Sequence, residues 1–264
     1  MVLSEQTRQF LSLAPGSAQE ERTCPVHGKY IARLFRVTAT GPWLGGECPT
    51  CAKEKEAEET SRKAAQTERQ RQARIESMIQ RSGIPTRFKD RTIENYQATD
   101  PGEQHAKEVS AWFADTWPER LAAGTSMIFV GFPGTGKTHL ATAIGNQLLR
   151  QGVSVLFATV SDAMRQIKST YDKDASMSEA HAIEIYTSPR LLILDEVHVQ
   201  TGSDHERRLM FEIVNRRYEN VLPSIIMSNL AFEKLQEFLG DRIVDRLREG
   251  GGKLVKFTWK SRRA

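Results

Sequence analysis

Gly131-Phe-Pro-Gly-Thr-Gly-Lys137-Thr138 fits the pattern G-x-x-x-x-G-K-[ST]. Glycines at these positions let backbone N–H groups turn inward around phosphates, and the N-terminus of a following helix adds partial positive charge. In such a loop Lys137 reaches the β- and γ-phosphates, and the Thr138 hydroxyl ligates Mg²⁺. The expected nucleotide contacts are Gly131, Pro133, Gly134, Thr135, Gly136, Lys137, Thr138 and His139. Further along, Leu191-Leu-Ile-Leu-Asp195-Glu196 is an apolar run ending in two carboxylates. Asp195 suits the Mg²⁺ shell, and Glu196 suits orienting and polarising an attacking water, which points to hydrolysis rather than binding alone. The plain alternative is a buried strand closed by a solvated Asp-Glu turn.

The second chemical cluster is Cys24-Pro-Val-His27, then Cys48-Pro-Thr-Cys51, and it uses all 3 cysteines of the chain. Three thiolates and an imidazole make a tetrahedral Zn²⁺ set, and four closed ligands imply a structural metal. A disulfide or unrelated free thiols are the alternatives, and the odd cysteine count weighs against the first. Between the pairs, residues 30–36 read as a strand and Gly41, Pro42, Gly45 and Gly46 as turns, giving a small zinc ribbon. So short a segment has little core, so metal would supply much of its folding energy.

The elements that position these residues follow from patterning. Ser126 to Val130 reads as a strand before the Gly-rich loop, and His139 to Leu149 as an apolar-faced helix after it. Residues 153–158, 191–196 and 224–229 read as further buried strands. Helices are expected over 103–122, from Asp162 to Tyr171 with Ser161 as N-cap, after a Ser176/Glu179 capping box, after a Ser203/Glu206 capping box, and from Phe232 onward. Strands alternating with helices imply an α/β fold with a parallel sheet covered on both faces. Residues 1–23 read as a polar tail or one short helix. Residues 52–81, free of Gly and Pro, read as a solvated helix spanning about 45 Å if continuous; coiled-coil pairing lacks apolar heptads. The expected division is 1–51, a tail and zinc ribbon; 52–83, a helical linker; and 84–264, a nucleotide-binding domain.

The chain has 264 residues, 39% hydrophobic and 27% charged, with net charge +4. This balance permits nucleic-acid contact without demanding it. No apolar run approaches the ~18 residues of a membrane span, and the N-terminus lacks the pattern of a signal peptide, so a cytoplasmic location is expected.

Asn229 follows the strand at 224–229, where its amide suits the γ-phosphate or the water, although Ser-Asn is also ordinary turn chemistry. In Gly240-Asp-Arg-Ile-Val-Asp-Arg246-Leu-Arg248, Ile243 and Leu247 form an apolar stripe beside Arg242 and Arg246. Arg246 is either part of a salt-bridged surface helix or an arginine finger completing a neighbouring subunit's site.

Taken together, GFPGTGKTHLATAIG, LLILDE, IIMSNL and GDRIVDRL resemble the AAA+ ATPases and, within them, the DnaC/DnaI-type replicative helicase loaders. The resemblance runs from Ile84 to the C-terminus. It implies a AAA+ P-loop domain with a reduced or absent lid, Asn229 as first sensor and Arg246 as arginine finger. It also implies Arg263, beside Arg262, as second sensor. The DnaI branch has a zinc-binding N-terminal domain that engages the helicase, a role the resemblance assigns to Cys24, His27, Cys48 and Cys51. A family segment that contacts single-stranded DNA corresponds to Arg165, Lys168, Tyr171 and Lys173, which also suit an ordinary amphipathic helix. Lys253, Lys256, Lys260, Arg262 and Arg263 are a second basic candidate.

The implied function is an ATP-dependent DNA replication factor that loads a hexameric helicase onto single-stranded DNA, self-associating through its ATP site, with ATP, Mg²⁺ and Zn²⁺ as cofactors. An IstB-type transposition helper acting on duplex DNA is one alternative; a zinc-ribbon adaptor with structural nucleotide is the other.

Overall fold

The computed structural model describes residues 16–38, 40–172, 174–197 and 204–261. The chain divides into two compact units, Met1–Gln70 and Arg71–Ala264.

In the first unit, β1 (Ser17–Cys24) and β2 (Gly28–Phe35) form an antiparallel hairpin in register from Ser17 opposite Phe35 to Cys24 opposite Gly28. The two-residue β3 (Leu44–Gly45) pairs along the other edge of β2. β1 corrects the expectation of a tail or helix before Cys24. Its residues are mostly exposed, so no apolar alternation announces it, and the backbone ladder with β2 holds it. The helix α1 (Pro49–Arg81) is continuous across 33 residues. It starts earlier than 52 because a proline costs nothing in a first turn.

The second unit is built on a five-stranded parallel sheet in the order β5-β6-β7-β4-β8. The strands are β4 (Met127–Gly131), β5 (Val155–Thr159), β6 (Leu191–Asp195), β7 (Ser224–Ser228) and β8 (Lys253–Phe257). Met127 and Phe129 of β4 enter one core with Leu140, Ile144, Ile193 and Phe257. Ile128 and Val130 enter the other with Ile167, Leu192, Ile213 and Ile226. Period-two alternation in a strand covered on both faces is why Met127 to Val130 is apolar throughout.

The helices differ from expectation in three places. The stretch 103–122 is two helices, α2 (Pro101–Asp115) and α3 (Trp117–Ala123), because Pro118 cannot continue a helical ladder. Following α4 (Lys137–Arg150), α5 (Val160–Lys168) is capped by Thr159, whose hydroxyl accepts from Asp162 N, and not by Ser161. The turn from Ser169 to Tyr171 is 3₁₀. α6 (Glu179–Thr187) is capped by Ser178 rather than Ser176, because Ser178 Oγ accepts from His181 N. α7 (Asp204–Glu219) follows, with Ser203 outside the described residues, and α8 (Phe232–Leu239) and α9 (Asp241–Arg248) close the helical set. β8 is a further strand that the sequence reading leaves unassigned.

Arg217, on α7, is 1% exposed and, among the described residues, meets no carboxylate in its hydrogen bonds. Its guanidinium donates to the carbonyls of Tyr186, Pro189 and Pro223 at 3.1, 2.8 and 2.6 Å, and to Ser224 Oγ at 2.9 Å. It therefore ties α7 to the turns leading into β6 and β7. Burial pushes the group down to about 9, so it stays protonated at neutral pH. Arg217→Leu removes these donors, leaving the Pro223 carbonyl only its bond from Leu192 N. It is expected to lower the unfolding free energy by about 3 kcal/mol or more, read as a shift in the urea midpoint.

Candidate functional site

β4, β7 and β6 are adjacent and parallel, so their C-terminal ends open at one edge of the sheet. The Gly-rich loop leaves β4 and runs into α4 at Lys137; Asp195 ends β6; Asn229 follows β7, between the two. Segments far apart in sequence thus meet where parallel sheets place ligands.

The loop's geometry requires its glycines. Gly131 has φ +127°, and a Cβ there would lie 2.1 Å from the Phe257 carbonyl oxygen. Gly136 has φ +97°, and its Cβ would lie 2.6 Å from the Tyr96 ring. Lys137 is buried, and its Nζ donates to the carbonyls of Gly131 and Phe132, both at 2.7 Å. Thr138 Oγ1 donates to Asp195 Oδ2 at 2.9 Å. A hydroxyl and a carboxylate oxygen side by side are hard donors of the kind Mg²⁺ takes, so these two residues fit that ion. When bound beside phosphates, Mg²⁺ neutralises their charge.

Glu196 is exposed and has φ +59°, a conformation that costs a non-glycine residue energy. Two bonds hold it there: its N–H donates to Asp195 Oδ1 at 2.8 Å, and Val197 N donates to the Met227 carbonyl at 3.0 Å. The strained turn ends the strand beside Asp195 and leaves the Glu196 carboxylate facing solvent. Asn229 is exposed next to it in the sheet order. Pro133 is exposed, and His139 Nε2 lies 3.0 Å from the Thr92 carbonyl and 2.9 Å from Asn95 Oδ1.

Arg246 is elsewhere. Its guanidinium donates to Asn215 Oδ1 on α7 and lies 5.2 Å from each of the Phe211 and Tyr218 ring centroids. It borders a cavity of about 330 Å³ with Ser126 and Ser224, which mark the N-terminal ends of β4 and β7. Five-residue strands, about 16 Å long, separate that edge from the Gly-rich loop. Arg246 therefore does not join the site of its own chain.

In the first unit, one ligand atom from each of Cys24, His27, Cys48 and Cys51 lies within 4.8 Å of the others. Cys24 Sγ is 3.5 Å from Cys51 Sγ, and His27 Nδ1 is 3.2 Å from Cys51 Sγ and 3.8 Å from Cys24 and Cys48. Edges of this length suit a tetrahedron with metal–sulfur bonds near 2.3 Å, so the set fits Zn²⁺. The end of β1 and the β1–β2 turn present the first pair; Cys48, just before α1, and Cys51, in its first turn, are the second. Backbone N–H groups of Val26 and His27 lower the Cys24 thiol to about 6, while Cys24 and burial push Cys51 up to about 11. His27 Nε2 meets Glu54 Oε1 at 3.1 Å, the outer carboxylate partner that orients a ligating imidazole. The cysteine pattern does not mark Glu54, although it lies one helical turn after Cys51.

The candidate DNA residues are engaged locally. Arg165 pairs with Asp162 at 3.1 Å, Lys168 with Glu206 at 2.7 Å, and Tyr171 Oη lies 3.0 Å from His205 Nε2. Arg165 and Lys168 also line an open groove with Met210 and Phe238. Lys173, Arg262 and Arg263 lie outside the described residues. Among the described residues, no helix is long and apolar enough to cross a membrane.

The family described as IstB-like ATP binding protein matches residues 57–249. The uncharacterized protein YdaV of Escherichia coli K12 is 37% identical over 191 residues, which cover 72% of this chain and 75% of that protein. The replicative helicase loader DnaC of Escherichia coli K12 is 35% identical over 203 residues, covering 77% and 81%. A crystal structure of the DnaC helicase loader superposes with TM-score 0.57 at 22% identity, over 66% of this chain and 99% of that one, a likeness of fold.

Gly136→Ala is expected to abolish nucleotide binding without unfolding the sheet, measured by titration with a fluorescent ATP analogue beside a thermal melt. The Cβ must displace Tyr96 and the φ is unfavourable. The purified chain is expected to carry about one zinc per molecule by elemental analysis, and Cys51→Ser to carry none.

Proposed function

The chain belongs to the IstB/DnaC family of ATP-binding proteins, and from that membership we propose that it loads a hexameric replicative helicase onto single-stranded DNA, with ATP as an assembly and release switch. It is a AAA+ P-loop ATPase. The relatives named replicative helicase loader support the loading role, and they share most of their length with this chain.

The observation that carries the mechanism is the distribution of the ATPase parts. Lys137, Thr138, Asp195, Glu196 and Asn229 gather at one edge of the sheet, and Arg246 stands at the other. In this reading Mg²⁺ binds at Thr138 and Asp195, Glu196 polarises the water, and Asn229 senses the γ-phosphate. Arg246 acts on the ATP of a second copy, so hydrolysis follows self-association. Zn²⁺ at Cys24, His27, Cys48 and Cys51 folds the segment that grips the helicase. Single-stranded DNA binds the groove of Arg165 and Lys168, which combines cationic and apolar side chains. Arg263 serves as second sensor, and the protein works in the cytoplasm.

Copurification with the host's replicative helicase is expected with ATP present and is expected to be lost when residues 1–51 are deleted; retention would remove the zinc segment as the grip. An IstB-type helper would instead bend duplex DNA and stimulate a transposase. Glu196→Gln is expected to bind ATP and hydrolyse it at least about 100-fold more slowly; unchanged hydrolysis would remove Glu196 as the residue that polarises the water. Arg246→Ala should also lose hydrolysis, by on the order of 10²-fold or more. Mixing it with Lys137→Ala is expected to restore part of the rate, because each variant supplies the half-site the other lacks.

A further inference from the structure

The carbonyl of Thr135, in the middle of the Gly-rich loop, accepts two side-chain donors from distant parts of the chain. Tyr96 Oη donates at 3.2 Å and Trp259 Nε1 at 2.9 Å. Tyr96 is buried, with its ring edge against His139 at a centroid distance of 5.3 Å. Trp259 stands two residues beyond β8, its ring 4.9 Å from that of Phe257. The same indole is packed so close to the start of α2 that a Cβ on Gly102 would lie 3.3 Å from it. Thr135 is itself buried, and its Oγ1 donates to the Phe132 carbonyl at 2.7 Å.

We propose that Tyr96 and Trp259 are positioning residues of the phosphate site, holding the Thr135 carbonyl so that the Gly136 N–H faces the nucleotide's phosphates. This deepens the ATPase reading and rests on it. The peptide between Thr135 and Gly136 is planar and trans, so its N–H runs antiparallel to its carbonyl. A carbonyl fastened to two donors aims the N–H away from them, into the concave side of the loop, where successive N–H groups bind anions. Gly136 at φ +97° permits that orientation. A free peptide flanked by glycines at 134 and 136 can rotate, and a rotated one turns a carbonyl oxygen toward the phosphate, where like partial charges repel. Fastening it in advance removes an ordering cost from binding. Phe132 N donates to the Phe257 carbonyl at 3.0 Å, so the segment from β8 to Trp259 holds the loop at both its start and its middle.

The test uses the full chain with Trp259→Phe, which keeps a ring and loses the N–H, and Tyr96→Phe, which loses the hydroxyl. Each is expected to raise Kd and KM for MgATP by about three- to tenfold, and the pair by more. ADP should weaken by the same factor, because the loop holds the β-phosphate, while kcat changes by less than about twofold. In ¹⁵N-tryptophan spectra, the indole signal that disappears in Trp259→Phe should shift when MgATP is added to the wild type. Folded variants with wild-type nucleotide affinity overturn the proposal, as does a fall in kcat at unchanged KM. If Trp259→Phe melts at a lower temperature, the indole signal of the wild type decides, and its failure to move at saturating MgATP overturns the proposal. A wild type that binds no MgATP overturns the ATPase reading together with this one; variants indistinguishable from an ATP-binding wild type overturn this one alone.

Discussion

The close backbone approach of β4 and β8 is the contact on which the nucleotide site depends. Gly131 sits opposite Phe257 with no room for a Cβ, which brings the Phe257 carbonyl to Phe132 N and starts the loop's turn. With β4 held on one side by β8 and on the other by β7, the loop has a fixed origin. The Thr138–Asp195 bond then fixes its far end against β6. Remove the glycine and the strand separates from β8, and the phosphate loop loses its frame. Sheet register does here what a rigid scaffold must do for any charged ligand: it sets the donors before the ligand arrives.

How much of this was legible depends on where each interaction's partners lie. The phosphate loop, the Asp195-Glu196 pair and the Cys₃His set are local motifs, with spacing that carries their chemistry. Strands buried on both faces are equally plain, because nothing polar interrupts LLIL or IIM. β1 was not legible, since a solvated strand held by its ladder has no hydrophobic signature. The α5 cap was misplaced because Thr159 and Ser161 are both competent caps, and only the path out of β5 selects between them. The Trp259–Thr135 bond joins residues 124 apart in sequence, and no local pattern reaches that far. Arg217 reads as one more cation on a charged helix, while its burial depends on two turns from other parts of the sheet.

The placement of Arg246 gives the ATPase domain a polarity. Its C-terminal edge presents phosphate-binding groups without a cation on α9, and its N-terminal edge presents that cation already ordered. Asn215, Phe211 and Tyr218 hold the guanidinium against α7, and Tyr218 is itself held by Glu249 at 2.8 Å. Ordering a long side chain in advance spares its rotamer entropy in the proposed contact with a second copy. The proposed self-association would therefore run head to tail, a geometry that closes into a ring or continues as a helix.

The core charge of Arg217 has a consequence for how the fold meets acid. Most buried cations are balanced by carboxylates, which take up protons as pH falls and turn a stabilising pair into an unpaired charge. The described oxygens around Arg217 belong to backbone carbonyls and a serine, none of which titrates in that range. The fastening of α7 to the sheet at Arg217 is therefore indifferent to acidification and to added salt.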